Sequence, residues 1–386
     1  MAPLRSFTHA ILALQALTSC VTSSAILQRR DQSSDPVEAR NNKIAPKVFI
    51  LNAFSPEAGS FYAAKEFNLL AQNITVPGIS PRFPDAHCTA NGEICQVTTG
   101  EGEINAAGTS AALVYSGLFD LKKTYFLIAG IAGIDPNVGS TGSVTFARFE
   151  IQVALQYEFD IREIGNNFST GYIPYGAKEP LEYPSFIYGT EVFEVNDALR
   201  SKAITFAKTG ALNDTDTAKK FRQQYKSPGN KPPSVIPCDG ATSDVFYNGN
   251  ILGTQFGKYA SVITNGSALY CATAQEDTAI MSSLLRAAKA GLVCFDRIIA
   301  MRTAANFDRP PPGVSTYQNF FYGNSGGFGP SVANLAIAGV PVVEGIVKGW
   351  EKTFKGGVKA TNYVGDIFGS LGGTPDFGPY PYFGEG

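Results

Sequence analysis

The chain has 386 residues, of which 44% are hydrophobic and 17% charged, and its formal net charge at pH 7 is -2. This length can bury a sizeable core, and the near-zero net charge argues against a nucleic-acid-binding protein that relies on a basic face. The chain has only two histidines, His9 and His87, and we expect the first to be removed. A single remaining histidine excludes a multi-histidine metal site, and a Ser-His-Asp triad would have to use His87. Acid–base chemistry would therefore fall mainly to carboxylates and amides.

The first 25 residues have the organisation of a secretory signal peptide. Arg5 precedes the apolar stretch Phe7–Leu17, and the small residues Ser23–Ala25 follow it. The apolar stretch is too short, and too often broken by polar residues, to span about 30 Å of hydrocarbon as a membrane anchor. Residues 26–45 are predicted to be a flexible pro-segment or linker, in which Arg29-Arg30 is either a processing site or a solvated charge pair.

Apolar runs and helical spacing alternate along the remainder of the chain. Strands are predicted over residues 47–52, 94–99, 125–128, 144–157 (one strand or two) and 294–302. Helices are predicted from Pro56 through Leu69, over residues 104–116, 196–208, 217–225, 249–259 and 274–290, and from 335 onward. Proline-rich loops are predicted over residues 226–233 and 303–313. This alternation indicates a layered α/β fold with helices on both sides of a sheet, in one domain that covers residues 46–386.

The cysteines and the glycosylation sequons agree with a secreted or cell-surface protein. Cys88 and Cys95 flank a short segment with an Asn-Gly pair that can form a tight turn, which predicts a disulfide between them. Cys238 and Cys271 are a candidate second pair, whereas Cys294 lies in an apolar run and is predicted to be a buried free thiol. Four asparagines begin Asn-x-Ser/Thr sequons and are predicted glycosylation sites: Asn73, Asn167, Asn213 and Asn265.

No run in the mature chain is predicted to span a membrane. Residues 125–134 are apolar but too few, and residues 332–347 are interrupted by Asn334, Pro341 and Glu344. Neither run reaches the roughly 20 apolar residues that a spanning helix needs. We therefore expect any part in transport to be that of a soluble or surface-attached component.

Three glycine-marked strand ends are candidates for a ligand site: residues 52–57, 98–107 and 129–135. In an open α/β sheet, ligands bind outside the carboxyl ends of the strands, and glycines there let the backbone approach a ligand. Each segment taken alone is more often only a tight turn. None matches a P-loop, and Gly100-Glu101-Gly102 lacks the third glycine of a dinucleotide-binding fingerprint, so no nucleotide cofactor is expected.

Four segments resemble the motifs of the nucleoside phosphorylase and nucleosidase superfamily in their order and spacing. They are residues 52–57, residues 99–107 with 129–133, residues 274–279 and residues 302–308. The third is similar to the superfamily's ribose-binding Met-Glu-x-x-Ala segment, and the fourth to its Arg-x-x-Ser-Asp loop. On a secreted chain, this pattern looks like the purine nucleoside permease family, whose members are associated with nucleoside uptake. The resemblance implies a three-layer αβα fold with a mixed, twisted central sheet, like that of nucleoside phosphorylases.

The resemblance also implies roles for single residues. Glu276 would accept hydrogen bonds from the ribose hydroxyls, because a carboxylate offers two acceptor oxygens to a vicinal diol. Glu57 falls where nucleosidases carry a water-activating glutamate, which requires a pKa raised by partial burial; alternatively, it is a first-turn glutamate favoured by the helix dipole. The other positions that the motifs imply for substrate binding are Asn52, Gly100, Gly130, Ala132, Gly133, Gln275 and Arg302.

Asn306 departs from the superfamily pattern in a way that bears on catalysis. It falls on the purine-contacting acid, which is usually Asp, and an amide can hold a purine but cannot deliver a proton at neutral pH. Asp308, two residues further on, is a candidate substitute in the catalytic set of Glu57, Asn306 and Asp308. Phe54, Phe307 or a nearby tyrosine could stack on the base.

Three functions are compatible with these expectations. The first is a non-catalytic component that binds purine nucleosides and supports their uptake, together with a membrane partner protein. The second is an extracellular nucleoside hydrolase or phosphorylase that cleaves the N-glycosidic bond, with phosphate as co-substrate only in the phosphorylase. A third is a structural surface glycoprotein. We expect no metal, other cofactor or nucleic acid, and a homo-oligomer is plausible.

Overall fold

The computed structural model describes residues 43–165 and 167–378, and the backbone of Tyr382–Phe383. The predicted signal peptide, most of the predicted linker and the Arg29-Arg30 pair lie outside the described residues and stay predictions. The proposed boundary of the folded domain near residue 46 also stays a prediction.

The strands of the described residues are mostly short and buried. In chain order they are β1 (Val48–Asn52), β2 (Gln72–Thr75), β3 (Asp85–Cys88), β4 (Ile94–Thr98), β5 (Tyr125–Ile134), β6 (Val144–Ala147), β7 (Phe149–Gln152), β8 (Tyr157–Glu158), β9 (Tyr172–Ile173), β10 (Phe186–Ile187), β11 (Val192–Glu194), β12 (Val235–Pro237), β13 (Asp239–Thr242), β14 (Tyr270–Ala274), β15 (Ile298–Phe307), β16 (Gly365–Asp366) and β17 (Tyr382–Phe383).

The helices lie between these strands. They are α1 (Ser55–Tyr62), α2 (Glu103–Tyr115), α3 (Asp197–Ala207), α4 (Asp216–Arg222), α5 (Asn250–Ile263), α6 (Asp277–Lys289), α7 (Thr316–Tyr322) and α8 (Phe328–Lys348). Short 3₁₀ turns occur at Leu69–Ala71 and Phe295–Arg297, and a π-helical turn occurs at Trp350–Phe354.

The central sheet is mixed. Strand β1 pairs in parallel with β4 on one side and β5 on the other, and β5 also pairs in parallel with β15 over most of its length. Strand β14 is antiparallel to the end of β5, and β6 is antiparallel to β15. Strands β7 and β13 extend the sheet beyond β14. Because β5 contacts three neighbours, the sheet forks along this strand.

Helices cover both faces of the sheet, as the alternation of side chains along β1 illustrates. Phe49 and Leu51 pack in one core cluster with residues of α2 and α6. Val48 and Ile50 pack in a second cluster with residues of α1, α3 and α8. Strands that are buried on both faces read as continuous apolar runs. The predicted three-layer αβα arrangement with a mixed central sheet is therefore confirmed.

Two strands run further than predicted. The segment 129–133, expected as a loop, lies within β5, and the segment 303–307, expected as the start of a proline-rich loop, lies within β15. The two extensions pair with each other, so that each provides the hydrogen bonds that the other needs. Conversely, helix α1 ends at Tyr62, and Leu69 lies in a 3₁₀ turn rather than in that helix. The segment 144–157 contains the separate strands β6 and β7.

Helix α8 has 21 residues and is apolar enough to cross a membrane by length and composition alone, which differs from the prediction for this segment. The helix continues through Pro341. Leu335, Ala338 and Val343 are buried in the cluster beneath the sheet, and the Asn334 side chain donates to the Gly142 carbonyl. The apolar composition of α8 is accounted for by packing in the core, because core helices of soluble proteins have the same character.

The structure contains both predicted disulfides, Cys88–Cys95 and Cys238–Cys271. The first joins directly opposed residues of the antiparallel strands β3 and β4. Cys294 is exposed rather than buried, because its neighbours in the apolar run, Val293 and Phe295, take the buried positions. The four sequon asparagines are all exposed, and their glycosylation stays a prediction.

Candidate functional site

A cleft opens where the carboxyl ends of several central strands meet. It encloses about 650 Å³ of empty space, part of it open to solvent, which is within the range of small-molecule sites. The lining residues follow β1, β4, β13 and β14 or lie near the ends of β5 and β15: Ala53, Phe54, Glu57, Glu101, Ile131, Ala132, Gly133, Val245, Phe246, Tyr247, Thr273, Ala274, Gln275, Glu276, Arg302, Ala305 and Asn306.

Glu57 lines this cleft with a buried carboxylate. It lies in the first turn of α1, where its Oε2 accepts a hydrogen bond from the Ala53 N–H (2.6 Å) and its Oε1 accepts one from the Ile131 N–H (2.7 Å). Burial raises the pKa of Glu57 to about 7, although the nearby Arg302 and the two backbone donors oppose the shift. A carboxylate that is half ionised at neutral pH can either accept or release a proton there.

Glu276 connects three separate segments of the cleft. It lies between β14 and α6, its Oε1 accepts a hydrogen bond from the Gly102 N–H (3.0 Å), and its Oε2 accepts one from Arg302 Nη2 (2.9 Å). The side chain is only 4% exposed. Glu276 thus holds the glycine-containing loop after β4 against strand β15.

Arg302 lines the cleft, but its donors are already engaged. Its Nη2 donates to Asp277 Oδ2 (2.5 Å) as well as to Glu276, its Nε donates to Asp277 Oδ1 (3.3 Å), and its Nη1 donates to the Ile131 carbonyl (3.0 Å). Arg302, which was predicted to bind substrate, therefore orients Glu276. Asp277, which the sequence analysis assigned no role, is fully buried beneath it.

Gly130 and Gly133 allow strand β5 to lie directly beneath the site. A Cβ at Gly130 would be 2.4 Å from Arg302 Nη1 and 2.8 Å from Glu57 Oε1. A Cβ at Gly133 would be 2.4 Å from the hydroxyl of Thr273, which accepts a hydrogen bond from the Gly133 N–H (3.0 Å). These glycines lie within a strand and do not form a turn. Their lack of a side chain lets polar groups pack closely against that strand.

Four predicted substrate-binding residues are not among those that line the cleft, namely Asn52, Gly100, Gly130 and Phe307. Asn52 and Gly100 support the cleft from outside its lining. The Asn52 side chain donates to the Ala129 carbonyl (2.6 Å) and accepts from Gln96 Nε2 (3.0 Å). Gly100 has a positive φ of 84° and shapes the turn after β4. Among the other predicted positions, Gln275 and Ala132 do line the cleft.

Glu103 is a further carboxylate near the cleft. The sequence analysis did not name it as a site residue, although it lies in the motif of residues 99–107. Its Oε1 accepts a hydrogen bond from Gln152 Nε2. Burial, and then the neighbouring Asp244 carboxylate, raise the pKa of Glu103 to about 7. The backbone N–H of Glu103 donates to Asp244 Oδ1 (2.7 Å), and Gln275 donates to the Asp244 carbonyl (2.9 Å). The loop after β4 is thus joined to the segment after β13.

The aromatic wall of the cleft differs from the predicted one. Phe54 lines the cleft as expected, together with Phe246 and Tyr247 from the segment after β13. Phe307 does not line the cleft, because its ring is buried against Tyr225 at a centroid distance of 4.1 Å. No motif marks the segment after β13, so only its proximity in the fold identifies it.

Asn306 and Asp308, the two candidates for contact with the departing base, lie in different environments in the structure. Asn306 lines the cleft and donates through Nδ2 to the Phe307 carbonyl (3.0 Å). Asp308 is 1% exposed and is not among the lining residues. It accepts hydrogen bonds from Arg309 (2.7 and 2.8 Å) and from the Tyr270 hydroxyl (2.6 Å). Asp308 therefore belongs to a buried polar network behind the cleft.

That network reaches the wall of the cleft through two tyrosines. The Tyr247 and Tyr270 hydroxyls are 3.3 Å apart, and Tyr270 in turn donates to Asp308. Arg309 completes the network with a hydrogen bond to Asp135 Oδ2 (3.0 Å). Asp308 thus acts on the cleft indirectly, because its network fixes the position of the Tyr247 ring.

Carboxylates outnumber cationic groups beneath the cleft. Glu150, on β7, is buried, and neither of its oxygens has a hydrogen-bond partner among the described residues. Burial and the nearby Asp277 carboxylate raise the pKa of Glu150 well above its ordinary range. Among the lining residues, Arg302 is the only cation, and the described residues contain no group of three or more residues placed to hold a metal ion. The cleft is thus polar without a free positive charge.

Comparison with known sequences gives a consistent family assignment. Residues 45–359 match the family model described as purine nucleoside permease. A purine nucleoside permease of Candida albicans is 48% identical over 340 residues, which cover 86% of this chain and 83% of that protein. A probable purine nucleoside permease of Schizosaccharomyces pombe is 39% identical over 316 residues, which cover 79% of this chain and 90% of that protein.

Similar solved structures include two bacterial nucleoside-cleaving enzymes. The 5'-methylthioadenosine/S-adenosylhomocysteine nucleosidase of Neisseria meningitidis has a TM-score of 0.45 and 14% identity, over 78% of this chain and 99% of that one. The futalosine hydrolase of Helicobacter pylori has a TM-score of 0.46 and 14% identity, over 78% of this chain and 98% of that one.

Proposed function

The chain belongs to the purine nucleoside permease family, and from this premise we propose that it binds purine nucleosides in the cleft and supports their uptake. The observation that carries the proposal is the position of Glu276. Its carboxylate is fixed at the cleft by Arg302 and by the Gly102 N–H. A fixed carboxylate with two acceptor oxygens matches the vicinal hydroxyls of a ribose.

The aromatic lining of the cleft suits a purine base. Phe54, Phe246 and Tyr247 offer aromatic surfaces for stacking. Asn306 also lines the cleft and presents an amide, which can form hydrogen bonds with the edge of a base. The distribution of polar and aromatic groups along the cleft therefore matches a sugar joined to a planar ring system.

Hydrolysis of the N-glycosidic bond is a second candidate, and the state of Glu57 favours it. With a pKa of about 7, the ionised carboxylate could take a proton from water as the water oxygen bonds to the sugar carbon. The C–N bond would break as that bond forms, and the base would leave with the electron pair. Asn306 could stabilise the departing base by hydrogen bonding but could not protonate it, so that its proton would come from solvent.

Phosphorolysis has less support from the cleft. A phosphorylase needs cationic or N–H donors free to hold a phosphate. Arg302 is the only cation among the lining residues, and it is engaged by Glu276, Asp277 and a backbone carbonyl. Arg148, which does not line the cleft, pairs with Glu194.

One set of incubations distinguishes these functions. Purified protein is incubated with adenosine, guanosine and inosine, with and without phosphate, and the release of free base and the binding of nucleoside are both measured. Saturable binding without base release is expected for the uptake function. Base release without phosphate would establish the hydrolase, base release only with phosphate would establish the phosphorylase, and an absence of binding to all three nucleosides would overturn the proposal.

We further infer a secreted or surface location, with a membrane partner that performs the translocation. Two disulfides and four exposed sequon asparagines support an oxidising, glycosylating compartment. Treatment of the native protein with an N-glycosidase should increase its electrophoretic mobility. Co-purification from crosslinked membranes should recover a membrane-spanning protein. Recovery of an unglycosylated chain from the cytosol alone would contradict this location.

A further inference from the structure

A second chamber continues the cleft beyond Asn306. It holds about 850 Å³ of empty space, part of it open to solvent. Four residues line both spaces, namely Ile131, Phe246, Ala305 and Asn306. The two spaces therefore adjoin at these four residues.

The second chamber differs from the first in its chemistry. Five phenylalanines line it, namely Phe221, Phe246, Phe307, Phe320 and Phe328, and none of its lining residues is charged. The rings of Phe246 and Phe320 meet edge to face, with their centroids 5.3 Å apart. Phe320 and Phe328 are 42% and 52% exposed, so that apolar surface at the chamber is left in contact with water. Burial of such surface by a ligand would be favourable.

Two amides give the chamber a defined hydrogen-bonding capacity. Asn306 and Asn248 both donate through Nδ2 to the carbonyl oxygen of Phe307, at 3.0 and 3.1 Å. Because a carbonyl only accepts, both amides must present their N–H groups to it, and their Oδ1 atoms remain as acceptors. The Oδ1 of Asn248 is buried, so it is not within reach of a ligand in the chamber. Asn306 lines both spaces, and its Oδ1 is the acceptor that an N–H group of a ligand would meet there.

We propose that the second chamber holds an uncharged aromatic or apolar substituent on the base of the bound nucleoside. The proposal rests on the proposed function, in which Glu276 holds the sugar and Asn306 contacts the base. The edge of the base that faces Asn306 would carry an N–H followed by an apolar group, as in a purine with a substituted exocyclic amine. The N–H would donate to an asparagine Oδ1, and the apolar group would pack among the phenylalanine rings.

The test compares adenosine with N6-benzyladenosine by isothermal titration calorimetry on the purified chain. Burial of the phenyl ring should make N6-benzyladenosine bind about tenfold more tightly. O6-benzylinosine carries the same ring without the N–H and should bind more weakly than N6-benzyladenosine. If adenosine binds and the benzyl compound binds equally or less tightly, this inference is overturned while the proposed function stands. If neither compound binds, this inference is overturned, whereas the proposed function is overturned only if guanosine and inosine also fail to bind.

Two variants of one helix provide the matched control. Phe320→Ala removes a ring from the chamber and should weaken N6-benzyladenosine binding by about fivefold, with adenosine affinity changed less than twofold. Tyr322 lies on the same helix, is 75% exposed and does not line the chamber. Tyr322→Ala should leave both affinities unchanged. Equal effects of the two variants on N6-benzyladenosine would contradict the assignment, and circular dichroism would verify that both remain folded.

Discussion

Arg302 Nη2 lies 2.9 Å from Glu276 Oε2, and both side chains are buried at the base of the cleft. The guanidinium also binds Asp277, and the second oxygen of Glu276 accepts the Gly102 N–H. The position of the carboxylate is therefore set by groups on two other segments before any ligand arrives. Such preorganisation reduces the ordering cost of binding.

Replacement of Glu276 should weaken nucleoside binding more than it weakens the fold. Glu276→Gln keeps the size of the side chain but replaces one acceptor oxygen by a donor, so that a hydrogen bond to a ribose hydroxyl is lost. We expect adenosine affinity to fall by about 10- to 100-fold, measured by calorimetry. Glu66 is an exposed glutamate that does not line the cleft, and Glu66→Gln is the control. Unchanged affinity in Glu276→Gln would contradict the ribose assignment.

Gly130→Ala should displace side chains of the site and lower both stability and nucleoside affinity. The added methyl group would lie 2.4 Å from Arg302 Nη1 and 2.8 Å from Glu57 Oε1, so both side chains would have to move. We expect a loss of about 1–3 kcal/mol in the free energy of unfolding, together with weaker adenosine binding. Urea denaturation and calorimetry would measure the two effects.

The matched control for this substitution is Gly108→Ala on helix α2. A Cβ at Gly108 would meet no atom within 4 Å, and alanine favours a helix over glycine by about 1 kcal/mol. Gly108→Ala should therefore be neutral or slightly stabilising and should leave binding unchanged. Equal stability of the two alanine variants would show that strand β5 tolerates a side chain beneath Arg302.

The free energy of unfolding should depend on pH, in part because of Glu57. Burial raises its pKa from 4.5 to about 7, so between these values the folded chain holds a proton that the unfolded chain has released. The contribution of this group to the unfolding free energy is complete below about pH 4.5 and is lost as the pH rises through 7, by about 3 kcal/mol in all. In Glu57→Gln, the fall in unfolding free energy between pH 5 and pH 7.5 should be smaller, as measured by urea denaturation.

The pKa of Glu103 is raised as well. The pH dependence of the unfolding free energy should therefore be smaller in Glu57→Gln, but it should not disappear. The Glu66→Gln control should retain the slope of the unmodified chain. An identical slope in Glu57→Gln would mean that this carboxyl titrates near its ordinary value in the folded protein.

The two disulfides should differ in their contributions to stability. They close segments with sequence separations of 7 for Cys88–Cys95 and 33 for Cys238–Cys271, and all four cysteines are buried. Since the longer loop restricts the unfolded chain more, removal of Cys238–Cys271 by paired alanine substitutions should cost about 1 kcal/mol more. Chemical denaturation of the two double variants would test this. A larger loss from the Cys88–Cys95 pair would contradict the loop-length argument.

Much of the site could be predicted from sequence because it lies at strand ends. Glu57, Glu276 and Asn306 are far apart along the chain, and each follows or ends a strand of the central sheet. Strand order then brings them to one cleft, as the resemblance to nucleosidases implied. The disulfide Cys88–Cys95 was predictable for a similar reason, since a tight hairpin opposes its two ends.

The remainder depends on partners that no local pattern specifies. Residues 129–133 appeared to be a glycine loop, yet they extend β5 because β15 provides a parallel partner. Asp308 seemed available for catalysis until Arg309 and Tyr270 were found to engage both of its oxygens. Phe246 lies in no recognisable motif, and it joins the cleft only through the position of β13 in the sheet.

The placement of helix α8 has a consequence for how a family named for permeation is studied. Its 21 residues would be counted as a bilayer crossing by a hydropathy scan. Inserting the helix into lipid would withdraw Leu335, Ala338 and Val343 from the sheet and leave an apolar face of the sheet uncovered. In this fold, the helix can therefore pack in the core or cross the bilayer, but it cannot do both. A need for detergent during purification would indicate insertion into the bilayer, and its absence would indicate packing in the core.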